Sequence, residues 1–313
     1  MSKPLFSIVI PTYNRAHTIS RALHSCLRQT CQDFEVIVVD DEKSSDDIEG
    51  ALAPFDGLRV RLIPHHRGRA AAARNTGIRL AAGQYVALLD ADDAFLPTKL
   101  ECCYERLRSE NRTLVYSQNY VDRGVGRYWI KPSRGLRDGE NIFDYLFVHK
   151  GWIHPSSIVT DATLARRNPF KEDLSFGDDT QFAADLWRQG IHLTMLEAPL
   201  TIYEDLYKQD RLSQSPVFLS GDAPEHTSFM EWVETQRPYM SERAYLAYRA
   251  FFRSRFMARI APWEAAQDIR LAYREGALSG RQCFMQIVQT FAPQLYWQCA
   301  DAVVRYSGRK LEL

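Results

Sequence analysis

The sequence predicts an α/β fold, a Rossmann-like and mostly parallel sheet with helices on both faces, followed by a helical C-terminal appendage. Three observations carry this. Between residues 5 and 93, apolar runs of strand length alternate with segments of helical spacing, the pattern of successive βαβ units. The carboxyl ends of those runs carry polar and acidic residues, where open α/β sheets collect ligands. Beyond about residue 225 the strand signal stops and helical spacing takes over.

Phe6 to Ile10 is short and apolar, a buried strand, and Thr18 to Arg28 has helical spacing in Ile19, Leu23, Cys26 and Leu27. Phe34 to Val39 is the second strand and completes one βαβ unit. A helix near Asp46 to Ala53, a strand Val60 to Ile63, an Ala-rich helix from Arg69 to Ala81 and a strand Tyr85 to Leu89 continue the alternation. Helical spacing then runs from Ala94 to Leu107, with Pro97 tolerated in a first turn. Short strands are expected at Thr113 to Ser117 and Ser157 to Thr160, and a helix from Thr180 to Gln189. The Gly- and Arg-rich stretch Arg123 to Glu140 reads as a loop. Ser, Pro, Gly and Asp cluster between Ser213 and Pro224, so two regions are expected, 1–220 and 221–313.

A chain of 313 residues buries a sizeable core. Thirty-nine basic and 39 acidic residues cancel, which removes the electrostatic footprint of a nucleic-acid binder. The six cysteines show no paired zinc spacing and suit reduced thiols in the cytoplasm. Leu5 to Ile10 is too short for a signal-peptide core, and no run reaches the ~18 apolar residues of a spanning helix. A soluble or peripheral cytoplasmic protein is expected, with the inner face of the plasma membrane as its contact.

Val86-Ala87-Leu88-Leu89-Asp90-Ala91-Asp92-Asp93 is the most informative segment, because a core strand ends in three carboxylates. Crowded carboxylates repel and lose hydration unless a cation or strong donors compensate. Hard divalent ions such as Mg2+ or Mn2+ take oxygen ligands and keep part of their shell for phosphates. Capping of the following helix is the competing explanation. His65, His66, His154 and His226 share no usable spacing for a further ligand.

Pro11-Thr12-Tyr13-Asn14-Arg15, then Val38-Val39-Asp40-Asp41, Ala73-Arg74-Asn75-Thr76-Gly77 and Leu89-Asp90-Ala91-Asp92-Asp93 together resemble the family 2 glycosyltransferases, which have the GT-A fold. The resemblance covers residues 5 to about 205. It implies a nucleotide-sugar donor, Mn2+ or Mg2+, and sugar transfer with inversion. It further implies that Pro11, Thr12, Tyr13 and Arg15 line the donor site, that Asp41 binds the base ring and that Arg74 lies near the donor phosphates. Asp90 and Ala91 would contact ribose or sugar, and Asp92, with Asp93 as second candidate, would hold the metal. Gly68 and Gly77 would allow close packing near the donor. His66 stands where the family often has Asn.

Inverting transfer needs a base for the acceptor hydroxyl. Phe176-Gly177-Asp178-Asp179-Thr180-Gln181-Phe182 resembles the family's Glu-Asp pair at a helix start, which implies Asp179 as base and Asp178 as its orienting neighbour. Both acids would equally favour a helix N-terminus. His154-Pro155-Ser156-Ser157 lies where the family lines its acceptor side, Arg211-Leu212-Ser213 resembles a segment bordering the diphosphate, and Trp129 and Trp152 suit a sugar ring or the core.

From Arg237 to Leu313 there are 12 Lys and Arg against six acids, beside many aromatics. From Arg243 to Arg259, Tyr245, Tyr248, Phe252 and Phe256 share one helical face. That face is expected on an anionic membrane surface, with packing on the catalytic region or a partner subunit as the alternative. The leading expectation is a hexosyltransferase acting on a saccharide or lipid-linked saccharide in bacterial surface or exopolysaccharide synthesis. A nucleotidyltransferase would show a Gly-rich phosphate loop after the first strand, and a non-catalytic sugar-nucleotide-binding protein would have lost its acids.

Overall fold

A computed structural model describes residues 3–66, 69–109, 113–174, 176–206 and 224–311. Gly68, Arg211-Leu212-Ser213 and the Ser213 to Ala223 part of the expected boundary lie outside the described residues, as does the side chain of His226. In chain order the first half comprises β1 (Phe6–Thr12), α1 (Ala16–Leu27), β2 (Phe34–Asp41), α2 (Ile48–Leu52), β3 (Val60–His65), α3 (Ala70–Leu80) and β4 (Tyr85–Leu88). Then follow β5 (Ala94–Phe95), α4 (Lys99–Ser109), β6 (Thr113–Asp122), β7 (Tyr128–Lys131), β8 (Ile158–Asp161), α5 (Ala162–Arg167), α6 (Asp178–Arg188) and β9 (His192–Glu204).

The sheet order is β3-β2-β1-β4-β8-β6-β9-β5, with β7 paired to β6. The β3-β2-β1-β4 half is parallel, and β4 pairs with β8 antiparallel. Strand order reverses between β1 and β4, so a crevice opens at their carboxyl ends, where Thr12, Asp41 and Asp90 emerge. Strand periodicity divides the core between the two faces. Val9, Val39 and Leu88 face α3, whereas Ile8, Val36 and Ala87 face the side covered by α1 and α4. Gly77 brings α3 onto β1: a Cβ there would lie 2.3 Å from Val9 Cγ1. Its close approach is therefore to the core.

Two sequence expectations change. The helix expected from Ala94 begins at Lys99, because Pro97 disfavours helical backbone in the residue before it and Ala94–Phe95 pairs with β9 instead. Asp90, Asp92 and Asp93 therefore do not cap that helix. The Arg123 to Glu140 stretch contains β7, antiparallel to β6, with Gly124 and Gly126 at positive φ in the connecting turn.

After residue 223 the chain is helical: α7 (Pro224–Gln236), α8 (Glu242–Tyr248), a π-helical turn Arg249–Arg253, α9 (Ser254–Met257), α10 (Pro262–Arg274), α11 (Gly280–Phe291) and α12 (Pro293–Ser307). Here the aromatic face of Arg243 to Arg259 packs against the preceding α/β region. Phe147 lies 5.7 Å from Tyr248 and 5.5 Å from Phe252, and Phe176 lies 5.7 Å from Phe256. Tyr248 is fully buried, so this face is withdrawn from a membrane. Arg249 and Arg253 both pair with Asp268 of α10.

Candidate functional site

The loops after β1 and β2 are fastened to each other. Asn14 adopts left-handed backbone and its Oδ1 accepts from Ser45 N at 2.7 Å, while Ser44 Oγ donates to Asp40 Oδ1 at 2.9 Å. Burial pushes the Asp40 carboxyl up against the lowering effect of that hydrogen bond. Asp41 is buried and accepts from Lys43 N at 2.9 Å. Pro11 and Thr12 are buried, Tyr13 is 54% exposed and Arg15 is half-buried.

Arg74 connects the acid cluster after β4 with the pair on α6. Its Nη2 donates to Asp90 Oδ1 at 2.7 Å and its Nη1 to Asp178 Oδ2 at 2.5 Å. Arg74 is itself buried, with Phe170 against its guanidinium. Burial alone would favour loss of its charge, but Asp90 and Asp178 outweigh it and hold the proton more firmly than usual. The expected neighbour of the donor phosphates is thus a bridge between two carboxylates. Its Nε has no protein partner.

Asp178 and Asp179 open α6, after Gly177 in left-handed backbone. A Cβ on Gly177 would lie 2.2 Å from the Phe229 ring, so only glycine admits α7 at this point. Asp179 Oδ1 accepts from Thr180 N at 2.6 Å. Burial first, and then the neighbouring Asp178, push the Asp179 carboxyl up to about 7. Asp178 is also raised by burial, with Arg74 opposing. A carboxyl that titrates near neutrality is suited to proton transfer.

Within the acid cluster the three aspartates differ. Asp93 is fully buried; its Oδ2 accepts from Ser156 Oγ at 2.5 Å and its Oδ1 from Glu204 N at 3.0 Å. Burial, then Asp92 and Asp90, raise its carboxyl well above the usual range. Ser156 Oγ also accepts from Asp90 N at 3.0 Å, so one hydroxyl fixes both ends of the turn. Asp92 is half-buried, and its backbone oxygen is held by Arg21 at 2.9 Å. Ala91 is buried between them.

His154 is what spacing did not find. A 3-10 turn, Pro155–Ser157, sets it beside the cluster, with Nε2 3.7 Å from Asp90 Oδ2 and Nδ1 3.6 Å from Asp93 Oδ2. Among the described residues, Asp90, Asp93 and His154 form a group whose ligand atoms lie within 4.8 Å of one another. Two carboxylates and an imidazole fit a divalent ion, the nitrogen favouring Mn2+ over Mg2+. The available signal was His154-Pro155-Ser156-Ser157, but its partners are 60-odd residues away in sequence. Trp152 packs on His154 and Tyr203, each at 4.9 Å. Trp129 faces the cations of Arg123 and Lys131, and His66 pairs with Glu42.

A sequence profile of glycosyl transferase family 2 matches residues 7–174. The chain is 29% identical over 256 residues to the amylovoran biosynthesis glycosyltransferase AmsB of Erwinia amylovora, covering 79% of this chain and 82% of that one. It is 37% identical over 121 residues to the Escherichia coli UDP-Glc:alpha-D-GlcNAc-diphosphoundecaprenol beta-1,3-glucosyltransferase WfgD, covering 38% of this chain and 47% of that one. S. aureus TarS in complex with UDP-GlcNAc shares the fold, with a TM-score of 0.63 at 16% identity over 96% of this chain and 90% of that one. The Pyrobaculum calidifontis mannosyltransferase PcManGT, in complex with GDP-Man and Mn2+, aligns with a TM-score of 0.54 at 18% identity, over 98% and 88%.

Proposed function

Because this chain belongs to glycosyl transferase family 2, we propose that it transfers a hexose from a UDP-sugar to a saccharide acceptor, with inversion, in bacterial surface or exported polysaccharide synthesis. Arg74 carries the assignment, since it joins Asp90 on the leaving-group side to Asp178 beside the base in one buried network. Asp41 accepts from the base ring, with Pro11, Thr12, Tyr13 and Arg15 around the nucleoside. A partially dissociated diphosphate draws on Arg74, whose unpartnered Nε leaves donor capacity. Asp179 takes the proton from the attacking hydroxyl, and Asp178, fixed by Arg74, orients it.

Asp90, Asp93 and His154 would hold Mn2+ or Mg2+, with Asp92 as a further carboxylate on the half-exposed side of the same turn. When bound, the ion stabilises negative charge on the departing diphosphate. Ser156 keeps the turn in shape by serving Asp90 N and Asp93 Oδ2 together.

A lipid-linked acceptor is supported by the diphosphoundecaprenol in the name of the E. coli relative. Among the described residues no helix is long and apolar enough to cross a membrane. Peripheral contact with an anionic membrane is supported by α11 and α12, where Phe284, Ile287, Phe291, Leu295, Val303 and Tyr306 are exposed. Between residues 277 and 311 the only acid is Asp301, which pairs with Arg123, against Arg281, Arg305, Arg309 and Lys310. The net positive charge of this segment suits anionic headgroups. The deciding experiment is UDP release from a panel of UDP-sugars, with and without saccharide acceptor, in Mn2+ and then in EDTA. Acceptor-stimulated, EDTA-sensitive release is expected. Pyrophosphate release from a nucleoside triphosphate, or tight UDP binding without turnover, would replace the assignment with nucleotidyl transfer or simple binding.

A further inference from the structure

Two side chains outside the acid cluster reach the turn that shapes it. Lys99, the first residue of α4, is fully buried, and its Nζ donates to Ser157 O at 2.6 Å and to Ser117 Oγ of β6 at 3.0 Å. Thr201 of β9 is equally buried, and its Oγ1 donates to Ser156 O at 3.0 Å. Both contacts are long-range, across 58 and 45 residues of chain. Burying an amine costs free energy that a methionine of similar length would not incur, and the two acceptors offset that cost. Burial also lowers the proton affinity of the Lys99 amine, with Cys103 opposing. Charged or neutral, the amine keeps at least two hydrogens for its two oxygen acceptors, so both contacts survive loss of the proton.

The turn carries these contacts to the acid cluster. Ser157 Oγ donates to His154 O at 2.6 Å, which closes the turn on itself. The Ser156 hydroxyl joins both ends of the acid segment, as donor to Asp93 Oδ2 and as acceptor from Asp90 N. Ser156 is thus anchored through its own carbonyl by Thr201 and through the next carbonyl by Lys99, while its hydroxyl sets the spacing between Asp90 and Asp93. Ser156 and Ser157 have no exposed surface, so a carbonyl that loses its donor there is left buried and unpaired.

We propose that Lys99 and Thr201 are positioning residues for the candidate metal site: by fixing the carbonyls of Ser157 and Ser156, they hold the Ser156 hydroxyl where it keeps Asp90 and Asp93 at one spacing. Both act through Ser156 and not on the reacting groups. The consequence for an ion rests on the metal-holding role proposed above for Asp90, Asp93 and His154; the positioning of Ser156 does not.

Amide hydrogen exchange in EDTA tests the positioning without metal. Asp90 N is bonded to Ser156 Oγ, whereas Leu89 N, one residue earlier, is bonded to Val9 O at 3.0 Å and serves as the internal reference. Lys99→Met and Thr201→Val are each expected to speed Asp90 exchange about tenfold relative to Leu89, and Thr201→Ser, which retains the hydroxyl, to stay within about twofold of wild type. Equal acceleration at Asp90 and Leu89 means general loosening and overturns the proposal, as does unchanged exchange at Asp90. Thr201→Val, close to isosteric, decides by itself if Lys99→Met does not fold. Mn2+ affinity, read by electron paramagnetic resonance in the presence of UDP, is expected to fall about tenfold in Lys99→Met and in Thr201→Val. In a Ser156→Ala background the same substitutions are expected to cost less than about twofold, because the hydroxyl they position is gone. Full additivity there overturns the route through Ser156. Wild-type protein without measurable Mn2+ affinity overturns the metal reading, and exchange at Asp90 then decides the positioning.

Discussion

Asp179 illustrates how surroundings change the proton affinity of one side chain. Its carboxyl is pushed from 3.8 up to about 7 by burial and by Asp178. The base proposed here works only when ionised, so transfer rate is expected to rise with pH through about 7 and then level off. Asp179→Asn is expected to lower kcat by about 10²- to 10⁴-fold with donor affinity retained. Stability gives a second readout with a defined sign. Below about pH 4 the group is protonated in both folded and unfolded chains and contributes nothing. As pH rises toward 7 the unfolded chain releases the proton while the folded one resists, so stability falls, and the penalty is complete above the folded value. Asp179→Asn should therefore raise the melting temperature at pH 8 and leave it nearly unchanged at pH 4. An equal shift at both pH values would remove the perturbed carboxyl from the account. The motif around residue 179 marked an acid pair at a helix start, but the raised value depends on burial, which a linear sequence does not specify.

At the scale of elements, the site depends on how α6 is delivered to the crevice. Gly177 turns the chain in left-handed backbone and gives Phe229 room to pack, so α6 begins with Asp178 facing Arg74. Gly177→Ala forces a Cβ into both an unfavourable φ and the Phe229 ring. A loss of about 1–3 kcal/mol is expected, read by urea denaturation, together with lower kcat, since Asp178 and Asp179 move with the helix start. Full stability in that variant would show that α7 is free to shift. The strand ends were readable because each apolar run stops in polar residues. The start of α4 was not: helical spacing continued back through Ala94, yet pairing with β9 and Pro97 claimed that segment for the sheet. Local periodicity competes there with a distant strand, since Ala94 pairs with Ile202 and Phe95 with Thr201.

For the whole molecule, the α/β region and the C-terminal helices share one hydrophobic cluster, with Phe147, Phe229, Tyr248 and Phe256 in it. The apolar groups left over on α11 and α12 make a separate prediction. Wild-type protein is expected to float with vesicles containing anionic lipid at low salt, and Phe284→Ser/Ile287→Ser to bind at least fivefold less. Equal flotation with purely zwitterionic vesicles, or none at all, would remove the membrane contact. The βαβ alternation, the polar strand ends and the order of the acid motifs are all present in the linear chain, because burial imposes a period on each strand and helix and a strand end must leave the core. Only packing makes Arg74 bridge Asp90 to Asp178 and brings His154 to Asp90 and Asp93. Those contacts join residues up to about a hundred positions or more apart, and their strength comes from exclusion of water, which exists only once the strands, loops and helices have packed.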